Sequence, residues 1–372
     1  MKNKFLKAFI ICLLALFTTN SAKADFSFND MELRFAQISD VHLCDLPDTS
    51  YKVLSSSKAL LDSAIKNLNK IKGLDFVVFT GDMVNDPKKE YYKDFLTSLS
   101  ELNHPSILTL GNHDALKEKQ ENNLLTKEEV INIFQKSNPY QNYGTPYFAF
   151  SPSDGYRVIV LDTTMGYEFG SNGYIDDVQL QFLDQELSQN QDKTIVIFQH
   201  HPVVEPFKSN DHKILNANAY LNILSKYPST PIGIFTGHYH ATKIIKKDNV
   251  VHVASPSLVT YPNAFRTVII TNYSDRVIFN FYFSETSLKN IQEKSKATLI
   301  TTSVFNGTSS DRIGEIMIRK GFSKKAKKIY NDVKAQEKAY KKAEKEAKKA
   351  TKRAQKEAEK ELMEFQEQIE KR

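Results

Sequence analysis

The stretch "ILTLGNHD" (107–114) runs from strand-type residues straight into a glycine, an amide, an imidazole and a carboxylate. A polar turn after a buried strand accounts for Gly-Asn, since both residues tolerate left-handed backbone. It does not account for Asn112, His113 and Asp114 in immediate succession. Four residues are a weak signal by themselves, so the other strand ends decide between a plain turn and a site.

Candidate strands are "LRFAQIS" (33–39), "DFVVFT" (75–80), "SILTL" (106–110), "YRVIVLD" (156–162), "TIVIFQ" (194–199) and "PIGIFT" (231–236). Between them, "LSSSKALLDSAIKNLNKI" (54–71) and "DDVQLQFLDQELSQ" (176–189) repeat apolar residues at helical spacing. After residue 236 strand follows strand: "ATKIIKK", "VVHVAS", "FRTVIITN" and "RVIFNFYF". This order predicts an α/β architecture with mixed sheets, and the unbroken apolar runs predict strands covered on both faces.

Five of these strands close on chemistry. Strand 33–39 leads into Asp40-Val41-His42, strand 75–80 into Gly81-Asp82, and strand 106–110 into Gly111-Asn112-His113-Asp114. Strand 194–199 leads into His200-His201-Pro202, and strand 231–236 into Gly237-His238-Tyr239-His240. Ligands bind beyond the carboxyl ends of strands in sheets built from β-α units, so the five ends point at one place. Carboxylate with imidazole suits a pair of divalent ions, Mn, Fe, Zn or Co, rather than a structural thiolate zinc. Two metals about 3.5–4 Å apart, bridged by an Asp, activate water and clamp an in-line displacement at phosphorus. In Asp40-x-His42 and His238-x-His240, alternation along extended chain predicts side chains on one side. Gly81, Gly111 and Gly237 permit tight turns and close backbone approach.

The ordered set D-x-H, G-D, G-N-H-D, H-H-P and G-H-x-H resembles the calcineurin-like metallophosphoesterase superfamily across residues 34–240. "FTGDMVND", "LTLGNHD" and "VIFQHHPV" are most similar to its class III cyclic-nucleotide and glycerophosphodiester phosphodiesterases. The resemblance implies a four-layer α/β/β/α sandwich and a dinuclear centre. By motif position it implies that Asp40, His42 and His240 bind one metal, and Asn112, His200 and His238 the second, with Asp82 bridging. It further implies that His113 faces the substrate phosphate, oriented by Asp114, and protonates or stabilises the leaving oxygen. The expected activity is phosphodiester hydrolysis by a metal-bridging hydroxide; the alternatives are a phosphomonoesterase or a catalytically silent scaffold. Asn85 stands where purple acid phosphatases carry a ligand tyrosine, which argues against an Fe(III) charge-transfer site. Residues 285–372 are too few and too helical for the substrate domain of exported 5′-nucleotidases.

His201 touches substrate, supports His200 or simply packs. His104, His212 and His252 are expected in surface or core polar roles. Asp45, Asn85 and Arg266 line the cleft or serve structurally.

The start, "MKNKFLKAFIICLLALFTTNSAKADF", sets three lysines before an apolar stretch and ends on Ala22-Lys23-Ala24. It reads as a signal peptide over 1–24, too short to span a membrane at about 20 residues, and hence as an exported protein with no transmembrane span after cleavage. An uncleaved anchor is the alternative. Cys12 falls inside that segment and Cys44 stands alone, which excludes a disulfide framework. The catalytic domain is expected over 25–284, a connecting segment over 285–322 and a Lys/Glu/Ala-rich tail over 323–372. That tail holds 17 basic and 10 acidic residues, a net of +7, while 25–322 nets −5. Its composition favours a long helical tail, solvated or coiled-coil. Self-association or contact with an anionic surface is open to it, with no specific nucleic-acid partner expected.

Overall fold

The computed structural model describes residues 31–137, 144–299 and 303–320, with 338–339, 341–342, 345–346 and 348–349. The first run alternates β1 (Met31–Ile38), α1 (Ser57–Leu68), β2 (Phe76–Thr80), α2 (Lys89–Leu99), β3 (Ser106–Thr109) and α3 (Lys127–Ser137). The second run is β4 (Phe148–Phe150), β5 (Tyr156–Val160), α4 (Asp177–Gln189), β6 (Thr194–Phe198), α5 (Ala217–Ser225), β7 (Ile232–Thr236), β8 (Lys243–Lys247) and β9 (Val250–Ala254). The chain then returns through β10 (Ala264–Asn272), β11 (Arg276–Glu285), α6 (Lys289–Ala297) and β12 (Gly314–Arg319).

Two six-stranded sheets result. One has the order β12-β11-β10-β1-β2-β3 and the other β4-β5-β6-β7-β9-β8. Strands β1, β2 and β3 are parallel, as are β5, β6, β7 and β9, while β10, β11 and β12 add antiparallel neighbours. Every residue of β2, β6 and β7 is buried, which is why they read as unbroken β-branched and aromatic runs rather than alternating ones.

Three apolar interfaces account for the layering. Leu60, Leu61, Ala64, Ile65 and Leu68 of α1 pack with Phe95 of α2 and Phe134 of α3 on the outer face of the first sheet. Phe35, Phe76, Phe198, Phe235 and Phe279 fill the space between the sheets. Leu183 and Leu187 of α4 and Tyr220 and Leu224 of α5 cover the second sheet. The order is therefore helix, sheet, sheet, helix. In the middle interface the Phe35 ring meets Phe198 and Phe235 edge-on at 5.2 and 5.0 Å, contacts worth about 0.5–1.5 kcal/mol each beyond their area.

The helix predicted over 176–189 is present, and Asp176 caps it by accepting a hydrogen bond from the Gln179 N–H at 2.8 Å. The expected connecting segment 285–322 does more than connect. Its β12 pairs antiparallel with β11 from Gly314↔Phe281 to Arg319↔Arg276, burying Ile318 between the sheets. The described residues up to Lys320 form one compact unit, and those beyond it belong to a second. The few described tail residues are helical and exposed. The segment 1–24 and most of 323–372 lie outside the described residues. Among those described, no helix is long and apolar enough to cross a membrane.

Candidate metal centre and active site

The carboxyl ends of β1, β2 and β3 in one sheet and of β6 and β7 in the other meet at a single cluster of donor atoms. His42 Nε2 lies 3.2 Å from His240 Nε2 and 3.5 Å from Asp82 Oδ2, and His240 Nε2 is 3.5 Å from Asp40 Oδ1. On the far side of Asp82, its Oδ2 is 3.3 Å from His200 Nε2, which in turn is 3.1 Å from His238 Nδ1. Asp40, His42, Asp82, Asn112, His200, His238 and His240 are all buried. All seven residues anticipated as ligands thus come from the anticipated strand ends, with Asp82 between the two groups.

The backbone reaches this arrangement by a different route from the one expected. Asp40-x-His42 and His238-x-His240 are not extended: Asp40, His42, His238 and His240 all have positive φ, between 44° and 68°, as does Asp82 at 54°. These five are most of the seven non-glycine residues in that region among the described residues. Side chains converge because left-handed turns fold them inward, at a cost of about 1–3 kcal/mol each where the residue is not Gly. Asp and His tolerate that conformation better than branched residues do.

Close approach dictates two glycines. A Cβ on Gly111 would overlap the Asp82 amide and Oδ1, and one on Gly237 would overlap Ser39 Oγ and crowd Asp40 Oδ2. Gly111→Ala is expected to weaken Mn binding about 10- to 100-fold, as loss of a ligand-orienting group does. Calorimetry on the metal-stripped chain checks this, and unchanged affinity would contradict the packing argument.

The donor set fits divalent metal on the grounds of its own chemistry. His200 Nδ1 donates to the Thr80 carbonyl at 2.7 Å and His240 Nδ1 pairs with Thr260 Oγ1 at 2.6 Å, so each ring turns Nε2 inward. Asn112 Oδ1 is a buried acceptor with no donor among the described residues, a costly arrangement unless a cation completes it. Oxygen and imidazole nitrogen without thiolate suit Mn, Fe, Zn or Co.

Burial depresses the imidazoles of His42, His238 and His240 below their ordinary range; for His42 the nearby Lys52 adds to the effect. They are therefore neutral, with lone pairs free to hold a metal ion. Burial acts the same way on His200, but the Asp82 carboxylate outweighs it and raises that imidazole to about 9.

Asp114 does not orient His113. Its carboxylate accepts hydrogen bonds from the backbone N–H groups of Gly111 (2.7 Å), Asp82 (2.8 Å), Met83 (2.8 Å) and Val84 (3.3 Å). It locks the loops after β2 and β3 together. Burial and then the Asp82 charge push Asp114 up to about 8, against the pull of those N–H groups. His113 is instead held by its own Nδ1, 2.6 Å from the Asn85 carbonyl, and by its backbone N–H on Asp82 Oδ1 at 3.0 Å. Its ring stands edge-on to His42 at 4.7 Å and to Tyr167 at 5.9 Å.

His201 packs 4.2 Å from the His238 ring and pairs through Nδ1 with Thr163 Oγ1 at 2.8 Å. His113 and His201 also bring ring nitrogens within 4.8 Å of the neighbouring donors. His104 and His252 are away from the centre, on the Leu68 carbonyl and in β9. Asp45 accepts from the Tyr91 hydroxyl at 2.5 Å. Arg266 is wholly buried on β10, where its guanidinium donates to the Ala254 carbonyl at 3.4 Å and lies 5.9 Å from the Phe283 ring, and it forms no ion pair among the described residues. His212 is half-buried and pairs through Nδ1 with Ser209 Oγ at 2.8 Å, a polar role as expected, and its ring also lies 5.3 Å from that of His238. Tyr51, Lys52 and Tyr167 also border the centre and carried no signal in the sequence.

The sequence profile of the family described as "Calcineurin-like phosphoesterase" matches residues 33–242. The chain belongs to this family. As a calcineurin-like phosphoesterase it is a metal-dependent phosphoric ester hydrolase. It is similar to a "Probable cyclic nucleotide phosphodiesterase" of Xenorhabdus bovienii, 28% identical over 201 residues, covering 52% of this chain and 71% of that protein. A "Probable glycerophosphodiester phosphodiesterase" of Arcobacter nitrofigilis is 27% identical over 228 residues, covering 59% and 77%. In fold, this calcineurin-like phosphoesterase matches a dimetal phosphatase from Danio rerio with a TM-score of 0.54 at 17% identity, over 68% of this chain and 99% of that one.

Proposed function

We propose that the protein hydrolyses phosphodiesters at a dinuclear centre, acting outside the cytoplasm. The observation that carries the catalytic reading is the shared Asp82 carboxylate, with imidazole nitrogens at 3.5 Å on one side and 3.3 Å on the other. Asp40, His42 and His240 with Asp82 would hold one ion; Asn112, His200 and His238 with Asp82 would hold the second. Such a pair supplies Lewis acidity at phosphoryl oxygens and lowers the pKa of water.

The chain's own residues supply the rest. The Asn85 carbonyl can only accept, so His113 Nδ1 carries a proton and the opposite nitrogen, Nε2, is left for the substrate. From Nε2, the protonated imidazole would give its proton to the departing alkoxide oxygen, which leaves as the alcohol. The preference for diesters draws on the relatives, both named as phosphodiesterases.

The test uses the chain from Asp25 to its end, stripped of metal and reloaded with Mn, Zn, Fe or Co. Bis(p-nitrophenyl) phosphate is expected to exceed p-nitrophenyl phosphate by about tenfold or more in kcat/KM, a difference near 1.4 kcal/mol. Chelation should abolish both rates. Faster monoester cleavage would make the protein a phosphomonoesterase, and no turnover with any metal would remove the catalytic reading. Export rests on the basic, apolar and small-residue succession of 1–24. The mature amino terminus after fractionation checks it: an intact Met1 in the cytoplasmic fraction would refute it.

A further inference from the structure

Lys52 is the cation nearest the proposed catalytic centre that no motif explains. It is only 8% exposed, and its Nζ lies 3.2 Å from His42 Nε2. Among the described residues no carboxylate stands within ion-pair distance of it, Asp40 and Asp82 included. A buried lysine is ordinarily paired, because an uncompensated ammonium out of water is costly. This one is directed at a nitrogen that must keep its lone pair free to ligate.

Nor is its position that of a loose surface side chain. The Lys52 N–H donates to Thr49 Oγ1 at 3.1 Å and the Thr49 N–H returns to the Lys52 carbonyl at 2.9 Å. The next residue, Val53, is fully buried and donates to the Val259 carbonyl at 2.8 Å. Asp48 accepts from the Ser55 N–H and hydroxyl at 2.9 and 2.7 Å and pairs with Lys294. The preceding residue, Tyr51, is 40% exposed, with its ring 5.9 Å from that of His240. The turn therefore presents Lys52 where the centre opens toward solvent.

Two divalent ions with Asp40 and Asp82 already leave net positive charge, and Lys52 adds to it. The arrangement is balanced by an anion arriving from outside. We propose that Lys52 is a substrate-binding residue whose ammonium contacts a non-bridging oxygen of the phosphoryl group. The inference rests on the phosphodiesterase reading and adds a protein cation to the two metals. Ammonium is a strong point-charge donor to phosphate, and one held in place by a pinned turn is ordered before the substrate arrives.

The experiment compares the full mature chain with Lys52→Met, which keeps the length and loses the charge, and Lys52→Arg, which keeps the charge. Each is loaded with Mn. Metal equivalents per chain, the Kd for inorganic phosphate by calorimetry, and kcat and KM for bis(p-nitrophenyl) phosphate are measured. Lys52→Met is expected to retain both metal equivalents while weakening phosphate binding and raising KM about 10- to 100-fold. Lys52→Arg is expected to recover part of that loss. Unchanged phosphate Kd with tighter Mn binding in Lys52→Met would overturn the proposal and make Lys52 a stand-in for the first metal. Loss of metal from Lys52→Met would overturn it in favour of a structural role. If the unsubstituted chain neither turns over diester nor binds phosphate with any metal, the phosphodiesterase reading falls and this inference with it. If it does both and Lys52→Met matches it, the inference alone falls.

Discussion

Asp82→Ala is expected to abolish metal-dependent turnover, by about four orders of magnitude or more, above ~5 kcal/mol of transition-state stabilisation. Asp82 stands between the two donor groups. Its Oδ2 stands 3.5 Å from His42 Nε2 and 3.3 Å from His200 Nε2, and its Oδ1 accepts the His113 N–H. In the proposed centre, removing the carboxylate would take a ligand from each ion, half the anionic charge, and the anchor of the residue assigned to the leaving group. Burial alone would raise the Asp82 carboxyl, but His200 and then His113 hold it well below the usual carboxylate range. It is therefore an anion over the working pH range.

Asp82→Asn separates charge from shape. It keeps an oxygen for the His113 N–H but loses the charge, so it is expected to lose metal nearly as completely. Metal content by elemental analysis and diester rates on reloaded protein provide the check. Two metal equivalents with near-normal rates in either variant would remove Asp82 from its bridging role.

Much of this centre could be read before any coordinates, because the information sits in short local segments. A strand that must be buried on both faces is written in apolar residues, as in β2, β6 and β7, and its end is marked by the change to Gly, Asp, His and Asn. Where the reading failed, the determining contacts were between segments distant in sequence. Asp114 follows His113 directly, yet three of its four amide partners are those of 82–84, some 30 residues earlier. Lys52 and His212 lie in loops without local pattern, and only folding brings them to His42 and His238.

The paired motifs taught a subtler lesson. Asp40 and His42 do share a face, but through left-handed turns rather than a pleat, so a correct outcome came from the wrong backbone. The edge strand β12 escaped notice because half of its residues are exposed and only Ile318 is buried. Its pairing also means that a chain ending at 284 would strip the first sheet of an edge.

His113→Ala is expected to keep both metal equivalents while losing about 10²–10⁴ in kcat, the range of a general acid, or roughly 3–5 kcal/mol. The reasoning is geometric. The Asn85 carbonyl accepts a hydrogen bond from His113 Nδ1 at 2.6 Å, which leaves Nε2 for the substrate, while the edge-on packing against His42 fixes the plane of the ring. Tyr167 backs the ring and is itself fixed by a hydrogen bond from its hydroxyl to Asp86 at 2.6 Å. Because the contact at Asn85 is made by backbone, Asn85→Ala should leave the rate within a few-fold of normal.

The distinguishing measurement is the leaving group. Proton donation matters little to nitrophenolate, which departs readily as an anion, and a great deal to an aliphatic alkoxide, which does not. The loss in His113→Ala should therefore be far larger for a glycerophosphodiester than for bis(p-nitrophenyl) phosphate. Equal losses on the two substrates would make His113 a positioning residue for the phosphoryl group. A parallel loss of metal would make it a ligand, in line with its nitrogen lying within 4.8 Å of the His42 and Asp82 donors.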